Sequence, residues 1–394
     1  MAAEEKKDLK RVATVLFPAV GTRVGGSVVS TALLARAVAA LPGWKVRIAL
    51  PGRGANAELF AQAGVEPEFY GLSENTVEQI RSVAGMRRKV MAASGFWVAY
   101  RHALHFLKEK PPDIVHVNDD ATMLIWGLAA RQCGIPLLWH VRQSMGSFLS
   151  DRIRSHLADQ LVFNSKATAK RLPSRRASPR QRIIHNVVDT RRYYPSADRR
   201  EHKKRLGVSP ERVLIGFVGN LMLRKRPEWM VQAGVDLLAE GCDAEIVIVG
   251  KDYSDGSYTE KLRKLAEAGG AEKRIHLLGY RSDVPDIMRA LDIFALPSIA
   301  EPFGLVVIEA MASKAAVVAT NDGGVPEIVE NGCTGVLTSR EEYKAFLQAL
   351  RMMVCNEEKR EEFAEAGYRS VLNRFSVERI GNEIGEVYEQ LLKK

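Results

Sequence analysis

The chain has 394 residues, 46% of them hydrophobic and 26% charged, and a formal net charge of +10. That length predicts two domains, and the ordinary balance of apolar and charged residues excludes a disordered or fibrous chain. Four cysteines with no CxxC pair and no histidine at ligand spacing argue against a zinc site and a disulfide framework, and no stretch approaches the ~20 apolar residues that span a bilayer.

The opening MAAEEKKDLKRVATVLFPAV has a short apolar run that ends at Pro18 and lacks a small-residue cleavage site. No signal peptide is expected, and the expected location is cytoplasmic. β-Branched Val12–Phe17 predicts the first strand, followed by a glycine turn at Gly21, Gly25 and Gly26 and a helix over Ser27–Leu41. Val46–Leu50, Asp113–Val117, Leu137–Val141, Leu161–Asn164 and Arg182–His185 continue as strands. The order then restarts with Val213–Val218, a helix over Glu228–Glu240, and strands at Ala244–Val249, Ile275–Leu278, Ile293–Leu296 and Val317–Ala319. Strand, turn and helix in alternation predict α/β architecture, with two doubly wound parallel sheets covered by helices. The polar, charged Asn186–Ser209 is the expected linker, and Val377–Leu392 the last helix.

Two segments are unusual in charge. Lys166–Arg182 interleaves Arg and Lys with Pro and Ser but has no aromatic residue for base stacking, so a solvated face is expected and nucleic acid is not. In Ile80–Lys108, Trp97, Tyr100, Leu104 and Leu107 recur at helical spacing, which predicts a core-facing stripe. The alternative for this stretch is peripheral contact with an anionic membrane at its inner face.

The motif richest in chemistry is SIAEPFGLVVIEAMA, residues 298 to 312, directly after the strand Ile293–Leu296. Pro302 and Gly304 turn the chain, and the amides of Phe303 to Val306 then form a helix N-terminus suited to an anion. Glu301 precedes that helix and Glu309 lies inside it, eight positions on. On a continuous helix that is ~12 Å of rise, whereas the carboxyl pair of a glycosidase lies roughly 5 to 9.5 Å apart. Separate hydrogen-bonding roles, one on a sugar and one on a ribose, suit the spacing better.

FVGNLMLRKRPEW, residues 217 to 229, places Arg224, Lys225 and Arg226 in a loop at the carboxyl end of a strand. Ligands bind there in open α/β sheets, and cations there favour a departing diphosphate. Gly25 and Gly26 permit close approach of backbone to ligand, but no full G-x-G-x-x-G is present, which disfavours a nicotinamide dehydrogenase. His140, in LLWHVRQS beside Arg142, stands at a strand end suited to face a cleft, whereas His116 reads as structural. Asp119 and Asp120 read as helix-capping residues, and no metal is expected.

On these residues the chain resembles glycosyltransferase family 4, the retaining enzymes of the GT-B fold. EPFGLVVIE (301 to 309) matches that family's pair of glutamates separated by seven residues, and DGGVPEIVENGCTGVL (322 to 337), HNVVD (185 to 189), the 217 to 229 segment and the Gly25-Gly26 loop fall in the family's order. The resemblance implies two Rossmann-like domains facing each other across a cleft. Residues 1–190, joined by the helix at 377–394, would form the acceptor-side domain, and 191–376 the nucleotide-sugar donor domain. It implies that Glu301 contacts the donor's sugar and Glu309 its ribose, that Lys225 binds the diphosphate with amides near Phe303, Gly304 and Leu305, and that His140 lies beside the transferred sugar. Tyr280 and Arg281 would lie near the base, and Gly25 and Gly26 against phosphates or acceptor. Asn220 stands where the family commonly has Arg, and Lys314 and Ala316 where Gly and Pro are usual.

The implied activity is transfer of a hexose, with retention, from a nucleotide-diphosphate sugar to a hydroxyl of a glycan or lipid-linked glycan, such as lipopolysaccharide or another cell-envelope glycoconjugate. A UDP-sugar is the expected donor and a GDP-sugar its alternative, with no cofactor and no metal. The competing readings are a GT-B epimerase or phosphorylase and a non-catalytic nucleotide-sugar-binding module.

Overall fold

The computed structural model describes residues 12–20, 25–73, 76, 86–144, 146–172 and 180–393, with only the backbone for 86–93. Gly21, the segment at 77–85 and the basic 173–179 lie outside the described residues, as does the charged opening at 1–11. The chain forms two compact units. Unit 1 comprises Met1–Asn164, Arg171–Val187 and Val377–Lys394; unit 2 comprises Ser165–Lys170 and Val188–Ser376.

Unit 1 is built on β1 (Ala13–Pro18), β2 (Trp44–Leu50), β3 (Pro67–Phe69), β4 (Ile114–Val117), β5 (Leu137–Val141), β6 (Gln160–Phe163) and β7 (Gln181–Ile183). They pair in the order β3-β2-β1-β4-β5-β6-β7, all parallel. Val15 of β1 registers with Val46 on one side and Ile114 on the other, so the strand order reverses direction between β1 and β4. β4 and β5 are buried along their whole length, as continuous apolar strands covered on both faces must be. The helix Val377–Leu392 belongs to this unit: Ile380, Ile384, Val387, Tyr388 and Leu391 share one face and join the core of Val15, Phe17, Ile48 and Ile114. Gly381 lets it approach the helix Gly26–Ala39, since a Cβ there would lie 3.1 Å from the Ala37 carbonyl oxygen.

Unit 2 repeats the plan with β8 (Val213–Val218), β9 (Ala244–Val249), β10 (Ile275–Gly279), β11 (Ile293–Leu296), β12 (Ala316–Thr320) and β13 (Val336–Thr338). The order is β10-β9-β8-β11-β12-β13, again parallel, and here the reversal falls between β8 and β11. In doubly wound sheets that crevice, at the carboxyl ends of the strands, is where ligands bind. The α/β class with two Rossmann-like sheets is as expected.

Two expectations are corrected. The Asn186–Ser209 segment is not a free linker: it contains the helix Arg199–Arg205, whose buried Lys203 pairs with Asp292 at 2.6 Å while Arg199 pairs with the same carboxylate at 3.1 Å. The stripe Trp97, Tyr100, Leu104 and Leu107 faces the core only at its far end: Leu107 is fully buried, Tyr100 and Leu104 are half-buried, and Trp97 is 59% exposed. The helix Met86–Glu109 instead buries Gly95, Ala99, Ala103 and Leu107, a face of mostly small residues that brings it close to the helix Asp120–Gln132. Among the described residues, no helix is long and apolar enough to cross a membrane.

Candidate functional site

In unit 2 the loop after β8 is shaped by glycine. Gly250, just past β9, approaches Gly219 so closely that a Cβ there would sit 1.8 Å from the Gly219 carbonyl oxygen. Gly219 N–H donates to Val249 and Gly250 N–H to Gly279, both at 2.9 Å, so three strand ends are held together. The chain then makes a single turn over Leu223–Lys225, and Arg226 takes a left-handed φ of 50° before Pro227 opens the next helix. This turn directs Lys225 inward, where it is buried.

The loop after β11 meets it. Ile299 N–H donates to the Arg224 carbonyl at 2.8 Å, and the Arg224 guanidinium donates back to the carbonyls of Ile299 and Ala300 at 3.2 and 3.3 Å. Ala300 sits at φ 51°, in the left-handed region, and its N–H donates to Asp322 at 2.7 Å. Burial works against ionisation of Asp322, but the amides of Ala300 and Gly323 and the Arg340 guanidinium hold its carboxyl below the usual range. Glu301 is thereby buried, with Oε2 paired to Lys225 Nζ and 3.5 Å from Arg224 Nη1.

Gly304, at φ 105°, opens the helix Leu305–Ala312. By position the amides of Leu305 and Val306 have no intrahelical acceptor. Phe303 is different: its ring is core, packed at 5.8 Å against Phe375, which leaves only its backbone to serve a ligand. Glu309, in the second turn of the helix, is buried. Burial raises its carboxyl to about 7, against the lowering by a hydrogen bond to Tyr193 and by the Arg192 charge. A buried carboxyl beside a hydroxyl donor suits it to accept from vicinal hydroxyls.

The remaining unit 2 candidates stand at neighbouring strand ends. Asn220, after β8, is exposed, and so is Tyr280, after β10. Arg281 forms a bidentate pair with Asp283 at 2.8 and 2.5 Å and so already has an acidic partner. The structure thus joins Lys225, Arg224 and Glu301 in one contact group, and Arg281 is not part of it.

In unit 1, Gly25 is the residue before the helix Gly26–Ala39, with extended backbone, and a Cβ on Gly25 or Gly26 would meet nothing within 4 Å. Neither glycine is demanded by the packing of the chain itself. Near this helix start lies a pocket lined by Val20, Ser27, Asn56, Asp119, Asp120 and Gln143. Asp119 caps the helix Asp120–Gln132 by accepting from the Thr122 amide at 2.8 Å, while Asp120 pairs with Arg171 at 2.6 Å.

His140, at the end of β5, is fully buried within a polar chain. Tyr388 Oη lies 2.5 Å from His116 Nδ1, His116 Nε2 lies 3.3 Å from His140 Nδ1, and Arg142 Nη2 lies 3.3 Å from the same His140 nitrogen. Because arginine only donates, His140 Nδ1 is the acceptor and its Nε2 carries the proton. Burial, the Arg142 charge and His116 all push the His140 pKa well below its usual value, against a smaller opposing effect of the Ile184 carbonyl, so the ring is neutral. Asn118, Arg142, Tyr388 and Tyr193 carry no motif in the sequence; Asn118 and Arg142 meet across 24 positions, and Tyr388 reaches His116 across 272. Among the described residues, no group of three or more His, Cys, Asp or Glu is placed to hold a metal.

Comparison with known proteins agrees with this layout. The model described as Glycosyltransferase Family 4 matches residues 24–192, and the one described as Glycosyl transferases group 1 matches residues 198–370. A lipopolysaccharide core biosynthesis mannosyltransferase of Rhizobium meliloti is 29% identical over 65% of this chain and 80% of its own length. A D-inositol 3-phosphate glycosyltransferase of Mycobacterium marinum is 33% identical over 49% of this chain, and the match spans 41% of that relative. In fold, the chain is similar to Anabaena HepE in complex with UDP and glucose, at a TM-score of 0.77 with 22% identity over 95% of this chain and 99% of that one. It is also similar to a glycosyltransferase from Rickettsia africae, at 0.80 with 19% identity over 97% and 99%. With one half matched by each model and the same fold in both solved neighbours, the chain belongs to the family 4, group 1 glycosyltransferases.

Proposed function

We propose that this glycosyltransferase moves a hexose from a nucleotide-diphosphate sugar, a UDP-sugar before a GDP-sugar, to a hydroxyl of a glycan or glycolipid, with retention at the anomeric carbon and without a dedicated metal. The observation that carries the donor assignment is the Lys225–Glu301 contact at the β8–β11 crevice, one loop away from the helix start at Leu305. A diphosphate there meets an ammonium, the Arg224 guanidinium and free helix amides. These groups stabilise the negative charge that develops as the sugar departs. Glu301, held rigidly through Gly323, Gly324 and Asp322, accepts from sugar hydroxyls, and Glu309 accepts from the ribose. The exposed Tyr280 offers a face to the base.

In unit 1, His140 presents Nε2–H to a sugar hydroxyl as a neutral donor. Attack by the acceptor on the same face as the departing diphosphate gives retention, and the diphosphate oxygen takes the acceptor's proton. The mannosyltransferase relative, named for lipopolysaccharide core biosynthesis, supports an envelope glycoconjugate as acceptor.

The test is a thermal-shift panel with UDP, GDP, ADP and TDP, followed by release assays on the matching sugar donors and NMR of the first-formed anomer. One nucleotide at ~100 times its dissociation constant should add about 2.7 kcal/mol of stability. No stabilisation by any of the four, or an inverted product, contradicts the reading.

A further inference from the structure

The spacing of the four cysteines predicts no disulfide framework, yet the fold of unit 2 brings two of them together. Cys242 Sγ and Cys355 Sγ stand 3.9 Å apart, although 113 positions separate them in the chain. The sulfurs of a disulfide lie about 2.05 Å apart, so roughly 1.9 Å remains to close. Cys133 belongs to unit 1, and Cys333 to the turn Glu330–Thr334 before β13.

The backbone is fixed at both thiols. Cys242 follows the helix Pro227–Ala239, where Gly241 takes φ 77° and the Cys242 N–H donates back to the Leu237 carbonyl at 2.9 Å. Cys355 is the last residue of the helix Tyr343–Cys355. Asn356 donates its N–H to the Met352 carbonyl at 3.0 Å, and the Arg360 guanidinium donates to the carbonyls of Met353 and Val354 at 2.8 and 3.3 Å. Beside the thiols Arg351 pairs with Glu240 at 3.3 Å, and further along the two helices Tyr343 Oη donates to Asp236 at 2.6 Å. Closing the sulfurs therefore asks for side-chain rotation, not for movement of the helices.

The two thiols differ in access: Cys355 is exposed and Cys242 half-buried. Burial, the neighbouring Cys355 and Glu240 raise the Cys242 thiol, against the Arg351 charge. Cys242 thus stays protonated while Cys355 meets reagents from solvent. An accessible thiol with a second one in reach behind it is the arrangement of a reversible redox pair.

We infer that Cys242 and Cys355 are a site of reversible oxidation, at which a hydroperoxide closes a disulfide that locks unit 2. The Cys355 thiolate attacks a peroxide oxygen, the O–O bond breaks, and the sulfur is oxidised to a sulfenic acid. The departing oxygen takes up the proton that Cys355 gave up and leaves as water or an alcohol. The Cys242 sulfur then attacks the sulfenic sulfur, the S–S bond forms, and the hydroxide released takes the Cys242 proton as water. The thiols lose an electron pair, which the peroxide accepts. The loop so closed carries β9 to β13 with Glu301 and Glu309, and a cross-link over such a length restricts mainly the unfolded chain.

The experiment treats the full chain with stoichiometric hydrogen peroxide, alkylates the remaining thiols and maps them by peptide mass. Free thiols should fall from four to two, with Cys242 and Cys355 joined in one cross-linked peptide pair. The melting temperature should rise by ~5 °C or more, and dithiothreitol should reverse both changes. Cys242→Ser should stop the cross-link and leave Cys355 as a sulfenic acid that dimedone traps. Cys355→Ser should leave the Cys242 thiol reduced under the same exposure, and its oxidation there overturns the order of attack. A Cys133→Ser, Cys333→Ser double variant should still cross-link, and it carries the test if a single variant fails to fold. A chain that keeps four thiols, a cross-link through Cys133 or Cys333, or a cross-linked chain that melts at the temperature of the reduced one overturns the inference. None of these readouts depends on the proposed glycosyl transfer.

Discussion

Gly323 lies against Glu301 so closely that a Cβ on it would sit 2.1 Å from the Glu301 carbonyl oxygen and 2.6 Å from its amide nitrogen. Gly323 also adopts φ 62°, and the Gly324 amide donates to that same Glu301 carbonyl at 2.8 Å. The segment Asp322–Gly324 is therefore the mould on which the Glu301 loop is set. Gly323→Ala should cost at least ~1 kcal/mol of stability from the left-handed backbone alone, and it should reduce turnover more than urea melts account for. A folded Gly323→Ala protein with wild-type turnover would show that the loop has no role in placing Glu301.

Glu309 gives a pH signature with a defined sign. Its folded pKa is raised from 4.5 to about 7, so its contribution to stability is fully present below pH 4.5 and is lost as pH rises through 7. Glu309→Gln should remove that dependence, gaining up to about 3 kcal/mol over wild type at pH 8 and little at pH 4. If Glu309 also holds ribose, the same variant should bind its nucleotide ~10-fold more weakly. Denaturant melts across this range check the first outcome and calorimetry the second.

Tyr388 reaches His116 from the helix Val377–Leu392, and His116 in turn reaches His140. Tyr388→Phe should cost about 1 to 3 kcal/mol, because it strands a buried ring nitrogen. It should also let the His116 tautomer relax, visible in the nitrogen chemical shifts of its ring, while Arg142 still holds that of His140. Unchanged shifts together with unchanged stability would remove Tyr388 from the chain.

Tyr280 is 73% exposed. Tyr280→Ala should change stability by no more than the ~0.5 kcal/mol of ordinary surface substitutions, and weaken nucleotide binding through lost contact with the base. A thermal-shift titration of that variant with UDP checks it.

What was legible in the sequence follows from how local each signal is. β5, β8, β9 and β11 coincide with the expected ranges, because buried strands read as short, mostly apolar runs with a glycine or proline at one end. β3 and β13 were missed: each is three residues long and sits at a sheet edge, too short for periodicity to register. On the helix Met86–Glu109 the large residues outlined a core face that holds only at Leu107; nearer the start of the helix close packing chose small residues, so Ala99 and Ala103 are buried and Trp97 is not. The Lys225–Glu301 pairing was within reach because strand-end position and residue type both pointed to it. The polar chain of Tyr388, His116, His140 and Arg142 was not, since such contacts are visible only when every neighbour is placed.

The central claim is that Lys225 and Glu301 carry donor chemistry and are not merely a buried ion pair. The most direct measurement is the turnover of Lys225→Ala and Glu301→Ala, each verified as folded, on the sugar donor whose nucleotide stabilises the wild type. A fall of ~100-fold or more in each is expected for lost stabilisation of developing charge. Wild-type turnover in folded variants would contradict it.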